Sequence, residues 1–284
     1  MRSCLLCLLM LVFPAAAHAV IVQQLMRPGI AANAEYLIGD RDKPAVLLLH
    51  GFLQTREFPT VITLAHGLQT EGYTVLSPTL SLNIPNRTQS LACEAAHKHG
   101  MEEDIAEIRD WVDWLKSHGH RSIVLIGHSF GSMQLLAYLS DHPDPAVKAY
   151  VGTSLIEAQI GSTFRPTLIA RLESLIRNKQ NALVTYPLSF CQKYPSTPEG
   201  LLSYVLWDQP RVLSALKVVP VRMLLIMGDT DSMLGQGWLK ALQHIQMPMV
   251  IVHGANHFMD GEHEFDLLDH TLAFLRQIPE RPSK

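Results

Sequence analysis

From about residue 45 onward, short apolar runs alternate with longer amphipathic stretches, a rhythm that predicts βαβ units and a mostly parallel sheet flanked by helices. Residues 45–49 (Ala-Val-Leu-Leu-Leu) are continuously apolar, as a strand buried on both faces requires. The stretch 61–68 reads as a helix closed by Gly72, and residues 74–76 as the next strand. Residues 101–118 give the clearest helix: Ile105, Ile108, Val112 and Leu115 recur at helical spacing, acids crowd the first turn, and Gly119 follows the end. A strand at 122–126 runs directly into Gly127 and a helix to about Leu139, and a short strand follows at 149–151. Between about 153 and 219 the rhythm breaks. Pro166, Pro187, Pro195, Pro198 and Pro210 are spread through helical pieces rich in leucine and aromatic residues, which predicts a small helical cap inserted into a single domain. Alternation then resumes with a strand at 221–227, a helix at 238–245, a strand at 249–252 and a last helix at 265–275.

The N-terminus breaks this pattern. Arg2, an apolar run from Cys4 to Phe13, Pro14, and then Ala17-His18-Ala19 match a secretory signal peptide over residues 1–19, so a secreted or periplasmic domain over 20–284 is expected. About ten apolar residues span only ~15 Å of helix, too little for a bilayer, and no later run reaches spanning length. A chain of 284 residues with 48% hydrophobic composition can bury one large core, which excludes a disordered or fibrous protein. The net charge of −3 comes without a basic stripe, which argues against nucleic-acid binding.

Three loops after predicted strands carry chemistry. Gly127-His128-Ser129-Phe130-Gly131 fits G-x-S-x-G, in which a sharp strand-to-helix turn lifts the serine hydroxyl clear of the sheet and leaves no room for flanking side chains. A serine that merely caps the helix is the plainer reading. A hydroxyl needs a base within hydrogen-bond reach, and His257, in the loop after the predicted last strand, is the candidate. That base needs a carboxylate. Asp231 is preferred, with Asp229 and Glu157 as rivals, all in loops after strands. The order serine, acid, histidine differs from that of chymotrypsin and subtilisin. His50-Gly51-Phe52 follows the first long buried strand, where the Phe52 amide, with that of Phe130, would bind an oxyanion.

Together the runs at 47–52, 127–131, 228–231 and 254–258 make the chain resemble the α/β-hydrolase superfamily over about residues 35–278. The resemblance implies an eight-stranded sheet, Ser129, Asp231 and His257 as a triad, and the Phe52 and Phe130 amides as an oxyanion hole. It names no substrate, because this fold hosts many chemistries. The expected reaction is hydrolysis of an acyl ester or thioester through an acyl-enzyme, without a metal or organic cofactor. An acyltransferase with the same triad and a catalytically silent binding protein are the alternatives.

The cap residues Leu168, Leu172, Leu201, Tyr204, Val205 and Trp207 either roof the site for a hydrophobic, lipid-like acyl group or pack the cap onto the domain. Cys93, His97 and His99 match no familiar zinc spacing, so no metal site is expected. Export would leave Cys93 and Cys191 in an oxidising compartment, where a bridge between them is expected to staple the cap to the rim of the site.

Overall fold

Strands that are apolar on both faces need two covering layers, and helices supply both. The computed structural model describes residues 19–279; apart from Ala19, the expected signal peptide lies outside them. Strands β1 (Ala19–Arg27) and β2 (Ile30–Leu37) form an antiparallel hairpin, followed by β3 (Ala45–Leu49), α1 (Pro59–Thr70), β4 (Val75–Thr79), α2 (Met101–Ser117), β5 (Ile123–His128), α3 (Phe130–Asp141) and β6 (Val147–Thr153). After an inserted segment come β9 (Arg222–Gly228), α7 (Trp238–His244), β10 (Met249–Val252) and α8 (His263–Leu275). The eight-stranded sheet has the order β1-β2-β4-β3-β5-β6-β9-β10, parallel from β4 to β10, with β2 antiparallel to both neighbours. Every parallel strand therefore delivers its C-terminal loop to the same edge.

Period-two alternation sorts the core. Val46, Leu48, Val124, Ile126, Leu224 and Ile226 face the layer made by α1 and α8. Leu47, Leu49, Leu125, Tyr150, Leu225 and Met227 face α2 and α3, where Ile108, Trp111, Leu135 and Leu136 are fully buried. At ~25 cal/mol per Å² of apolar surface, these two layers supply the main stabilisation.

Two parts of the architecture differ from the local pattern. The β1–β2 hairpin precedes the first expected strand: its second strand, Ile-Ala-Ala-Asn-Ala-Glu-Tyr-Leu, has little β propensity and is held by pairing Asn33–Leu37 with Val75–Thr79 of β4. The segment between β6 and β9 is not purely helical. It contains α4 (Arg165–Arg177), a hairpin of β7 (Val184–Leu188) and β8 (Cys191–Ser196), then α5 (Pro198–Val205) and α6 (Gln209–Val218). Pro187 and Pro195 interrupt helices but are tolerated in this isolated two-stranded ribbon. Leu168, Leu172, Leu201, Tyr204, Val205 and Trp207 are all buried, so these side chains pack the cap.

The cap is tied down at several points. Cys93 and Cys191 form a disulfide that joins the loop before α2 to the turn of the β7–β8 hairpin, with Cα atoms 5.4 Å apart. The His97 amide donates to the Pro195 carbonyl at 2.8 Å, and the Met101 amide donates to Ser203 Oγ at 2.9 Å. The bridge closes a loop with a sequence separation of 98 residues. Replacing both cysteines by serine is therefore expected to lower unfolding free energy by up to about 5 kcal/mol in the chain-entropy picture. Urea titration checks this, and a midpoint equal to that of the parent would show that the staple contributes nothing.

Candidate active site

The loop between β5 and α3 is built by steric exclusion. A Cβ on Gly127 would lie 2.6 Å from the Ser132 amide nitrogen, and one on Gly131 would lie 2.2 Å from the His50 carbonyl oxygen, so neither position admits a side chain. Between them Ser129 adopts φ 56° and ψ −124°, a conformation L-residues rarely take. Its amide donates to the Thr153 carbonyl at 2.8 Å, which braces the turn against the end of β6. The turn therefore does more than cap a helix, and Ser129 makes no side-chain cap hydrogen bond to α3.

His257 arrives from the loop after β10. Its Nδ1 lies 2.7 Å from Asp231 Oδ2, and its Nε2 lies 2.7 Å from Ser129 Oγ. A carboxylate only accepts, so the ring proton sits on Nδ1 and the serine hydroxyl donates to Nε2. All three residues are buried or nearly so: Ser129 is 6%, His257 3% and Asp231 9% exposed. Asp231 Oδ1 accepts the Met233 amide at 2.9 Å, and Ser154 Oγ donates to the His257 carbonyl at 2.7 Å, which fixes both ends of the chain.

The rival acids point elsewhere. Asp229 accepts from His253 Nδ1 at 2.8 Å and from the Gly254 amide at 2.7 Å, and the His253 contact holds its carboxyl below the usual range. Glu157 accepts the Gln159 amide beside an open cavity of about 670 Å³, also lined by Arg165, Asp208 and Gln209. Burial pushes the Glu157 carboxyl up.

The two residues expected to supply the oxyanion amides pack against each other through their side chains. Gly51 packs against Ser129, where an added Cβ would come within 3.3 Å of the serine Cβ, and the rings of Phe52 and Phe130 are 4.6 Å apart. Tyr194 and Phe190 of the cap hairpin complete an aromatic cluster on Phe52, at 5.5 and 5.6 Å. His257 also has a histidine neighbour. His128 lies 5.4 Å from the His257 ring, and burial, then the nearby His257, pushes it down to about 3. It remains neutral and adds no charge beside His257. Thr153 Oγ1 donates to the Gly127 carbonyl and accepts from His128 Nδ1 at 3.2 Å, which leaves a bare Nε2 with no hydrogen-bond partner among the described residues.

Sequence patterns do not single out the supporting contacts. Ser154 and Gln159 are ordinary polar residues, yet Ser154 holds the His257 loop, and Gln159 spans from the Met233 carbonyl to Ser189 of the cap hairpin. Cys93, His97 and His99 are occupied otherwise: the first in the disulfide, the second stacked on Tyr194 at 4.0 Å, the third 2.8 Å from the Tyr204 hydroxyl. Among the described residues no group of three His, Cys, Asp or Glu side chains is placed to hold a metal, and no helix is long and apolar enough to cross a membrane.

A sequence model of the alpha/beta hydrolase family matches residues 46–269. Among curated proteins, no sequence matches. Among solved structures the chain is similar to DcsB in complex with its substrate analogue, at 16% identity and TM-score 0.70, over 92% of this chain and 100% of that one. It is similar to Est1E from Butyrivibrio proteoclasticus, at 18% identity and TM-score 0.62, over 91% and 98% of the two chains. The thioesterase domain from the curacin biosynthetic pathway gives 18% identity and TM-score 0.59, over 93% and 100%. At such identities the likeness is one of fold.

The steric reading of the turn is testable without any substrate. Gly131→Ala must displace the His50 carbonyl and is expected to destabilise by about 1–3 kcal/mol, as overpacking does. Gly161→Ala, which meets nothing within 4 Å, should stay within about 0.5 kcal/mol of the parent. Denaturant melts of the two variants decide, and equal stability would remove the argument from close approach.

Proposed function

The chain belongs to the alpha/beta hydrolase family, and from that premise we propose that it is an exported serine hydrolase cleaving an acyl ester or thioester through Ser129, His257 and Asp231. The observation that carries this reading is the unbroken chain from Ser129 Oγ through His257 to Asp231, with both links at 2.7 Å. Ser129 Oγ attacks the acyl carbon and its proton passes to His257 Nε2, while Asp231 stabilises the imidazolium. The oxygen that gains charge accepts from the Phe52 and Phe130 amides. When the intermediate collapses, the alcohol or thiol leaves with the proton from His257. Water, activated by the same histidine, then releases the acid and restores the serine.

Export draws support from the signal-like pattern of residues 1–19 and from the Cys93–Cys191 pair, since such bridges persist in oxidising compartments. A hydrophobic acyl group draws support from Phe190, 46% exposed at the turn of the cap hairpin, whose ring meets Phe52 edge-on. That contact adds partly exposed apolar surface beside the Phe52 ring.

A fluorophosphonate probe is expected to label the protein once, at Ser129, and His257→Ala to abolish labelling, as read by peptide mass spectrometry. A wild-type protein left unlabelled under conditions that label a known esterase would leave only a silent ligand-binding role. Assays with p-nitrophenyl esters of increasing acyl length, run with and without an alcohol acceptor, separate hydrolysis from acyl transfer. In the same assay Asp231→Asn should reduce kcat by about 10⁴-fold, the order found when a histidine loses its orienting carboxylate. Asp229→Asn and Glu157→Gln should retain most of it. The reverse ranking would move the acid.

A further inference from the structure

Arg87 lies in the loop between β4 and α2 and is only 4% exposed, yet no carboxylate among the described residues pairs with it. Backbone carbonyls take its donors instead. Nε donates to Leu80 O at 2.8 Å, Nη1 to Gln89 O at 2.9 Å and Leu53 O at 3.3 Å, and Nη2 to Gln54 O at 2.7 Å. Its own carbonyl accepts from Asn33 Nδ2 at 3.1 Å. Burial lowers the guanidinium to about 10, so it stays charged near neutral pH. A buried cation that clamps the loop after β4 to the loop after β3 is costly unless every donor is met, and here the planar fork meets four carbonyls.

We propose that Arg87 is a positioning residue for the Phe52 oxyanion amide, acting through His50; the inference rests on the serine-hydrolase reading above. The Leu80 amide donates to His50 Nε2 at 3.1 Å, and Arg87 Nη2 lies 3.4 Å from the same atom. Two donors converging on one ring nitrogen keep it bare, so the ring proton sits on Nδ1 and is donated to the Gly51 carbonyl at 2.8 Å. No peptide bond among the described residues is cis, so the Gly51 C=O and the Phe52 N–H point in opposite directions across one plane. Holding the carbonyl against the His50 ring therefore turns the Phe52 amide away from it. The other tautomer would set a ring N–H against the Leu80 amide and Arg87, and a lone pair against the Gly51 oxygen. Arg87 also grips the carbonyl of Leu53, held at φ 59°, and that of Gln54, so the chain after the amide cannot relax. The result is an oxyanion donor oriented before substrate arrives, with a fixed positive charge behind it.

The test compares wild-type protein with Arg87→Lys and Arg87→Met on a p-nitrophenyl ester and a trifluoromethyl ketone, whose hydrate-like adduct mimics the charged intermediate. Lysine keeps the charge but cannot reproduce the fork. The expected result is a fall in kcat of about 10- to 100-fold, below the loss from deleting an oxyanion donor outright. KM should stay within about twofold, and ketone affinity should fall by the same factor as kcat/KM. Unchanged kcat and ketone affinity, or a rise in KM at constant kcat, would overturn the proposal. Should either variant fail to fold, ¹⁵N NMR of the wild-type imidazoles still decides. His50 must show a protonated Nδ1 and a bare Nε2 from about pH 5 to 8, and a protonated Nε2 or a titration in that range overturns the inference. A wild type that neither labels at Ser129 nor turns over any ester overturns the hydrolase reading, and this inference with it. An active wild type matched by its Arg87 variants overturns this inference alone.

Discussion

The close approach of Gly131 to the His50 carbonyl sets the geometry on which the site depends. It brings the start of α3 against the end of β3, although 81 positions separate the two residues in the chain, and it leaves room for a hydrogen atom only. Because β3 and β5 pair in register from Ala45 with Ile123 to Leu49 with Gly127, the two strands end together. The chain leaving β5 must then turn within one residue, and Ser129 carries the strain. Ordinary packing would not hold a non-glycine residue in that conformation. The sheet register, the Ser129–Thr153 backbone bond and the Gly131 contact overdetermine it together.

The same register explains why chemistry was legible where supporting structure was not. Ser129, Asp231 and His257 each follow a strand whose apolar run marks its end, and each has a side chain suited to a distinct role, so order and position could be read together. The β1–β2 hairpin has no such signature. Ala32 and Ala34 are buried at 0% exposure, but alanines and an asparagine make no β pattern, and only pairing with β4 assigns them. The β7–β8 hairpin hid behind prolines that suggested broken helices. Arg87 is least visible of all, because its partners are carbonyls, which every residue carries, and no side-chain pattern records which ones it meets.

The cap bears on the site through fixation. Its hairpin is joined to the base by the disulfide and by the His97 amide, and its helix α5 by Tyr204 on Asp104, whose carboxylate also accepts Gln134 Nε2 of α3 at 2.6 Å. A buried acid with three polar neighbours, Gln134, Tyr204 and, at 3.5 Å, His99, is a satisfied network, and such networks specify one arrangement. The aromatic cluster of Phe52, Phe130, Tyr194 and Tyr204 stands on it. The rings that border the expected oxyanion amides are thus set by α2 and α3, elements of the main domain, and not by the cap alone.

Charge is distributed with the same economy. Three buried histidines, His50, His97 and His128, are pushed down to about 3, 4 and 3 by burial, so none adds a positive charge to the interior near neutral pH. His257 differs from them in one respect: its Nδ1 lies 2.7 Å from a carboxylate. A histidine without that partner stays neutral when buried, and one fully exposed would lose the directional bond to Ser129. His50 and His97 hold backbone carbonyls and His128 holds the Thr153 hydroxyl, whereas His257 sits between the Asp231 carboxylate and the Ser129 hydroxyl. Asp229, two residues from Asp231 on the same loop, shows how narrowly this is set: its carboxylate, turned outward, binds His253, which is 87% exposed, and reaches none of the buried rings.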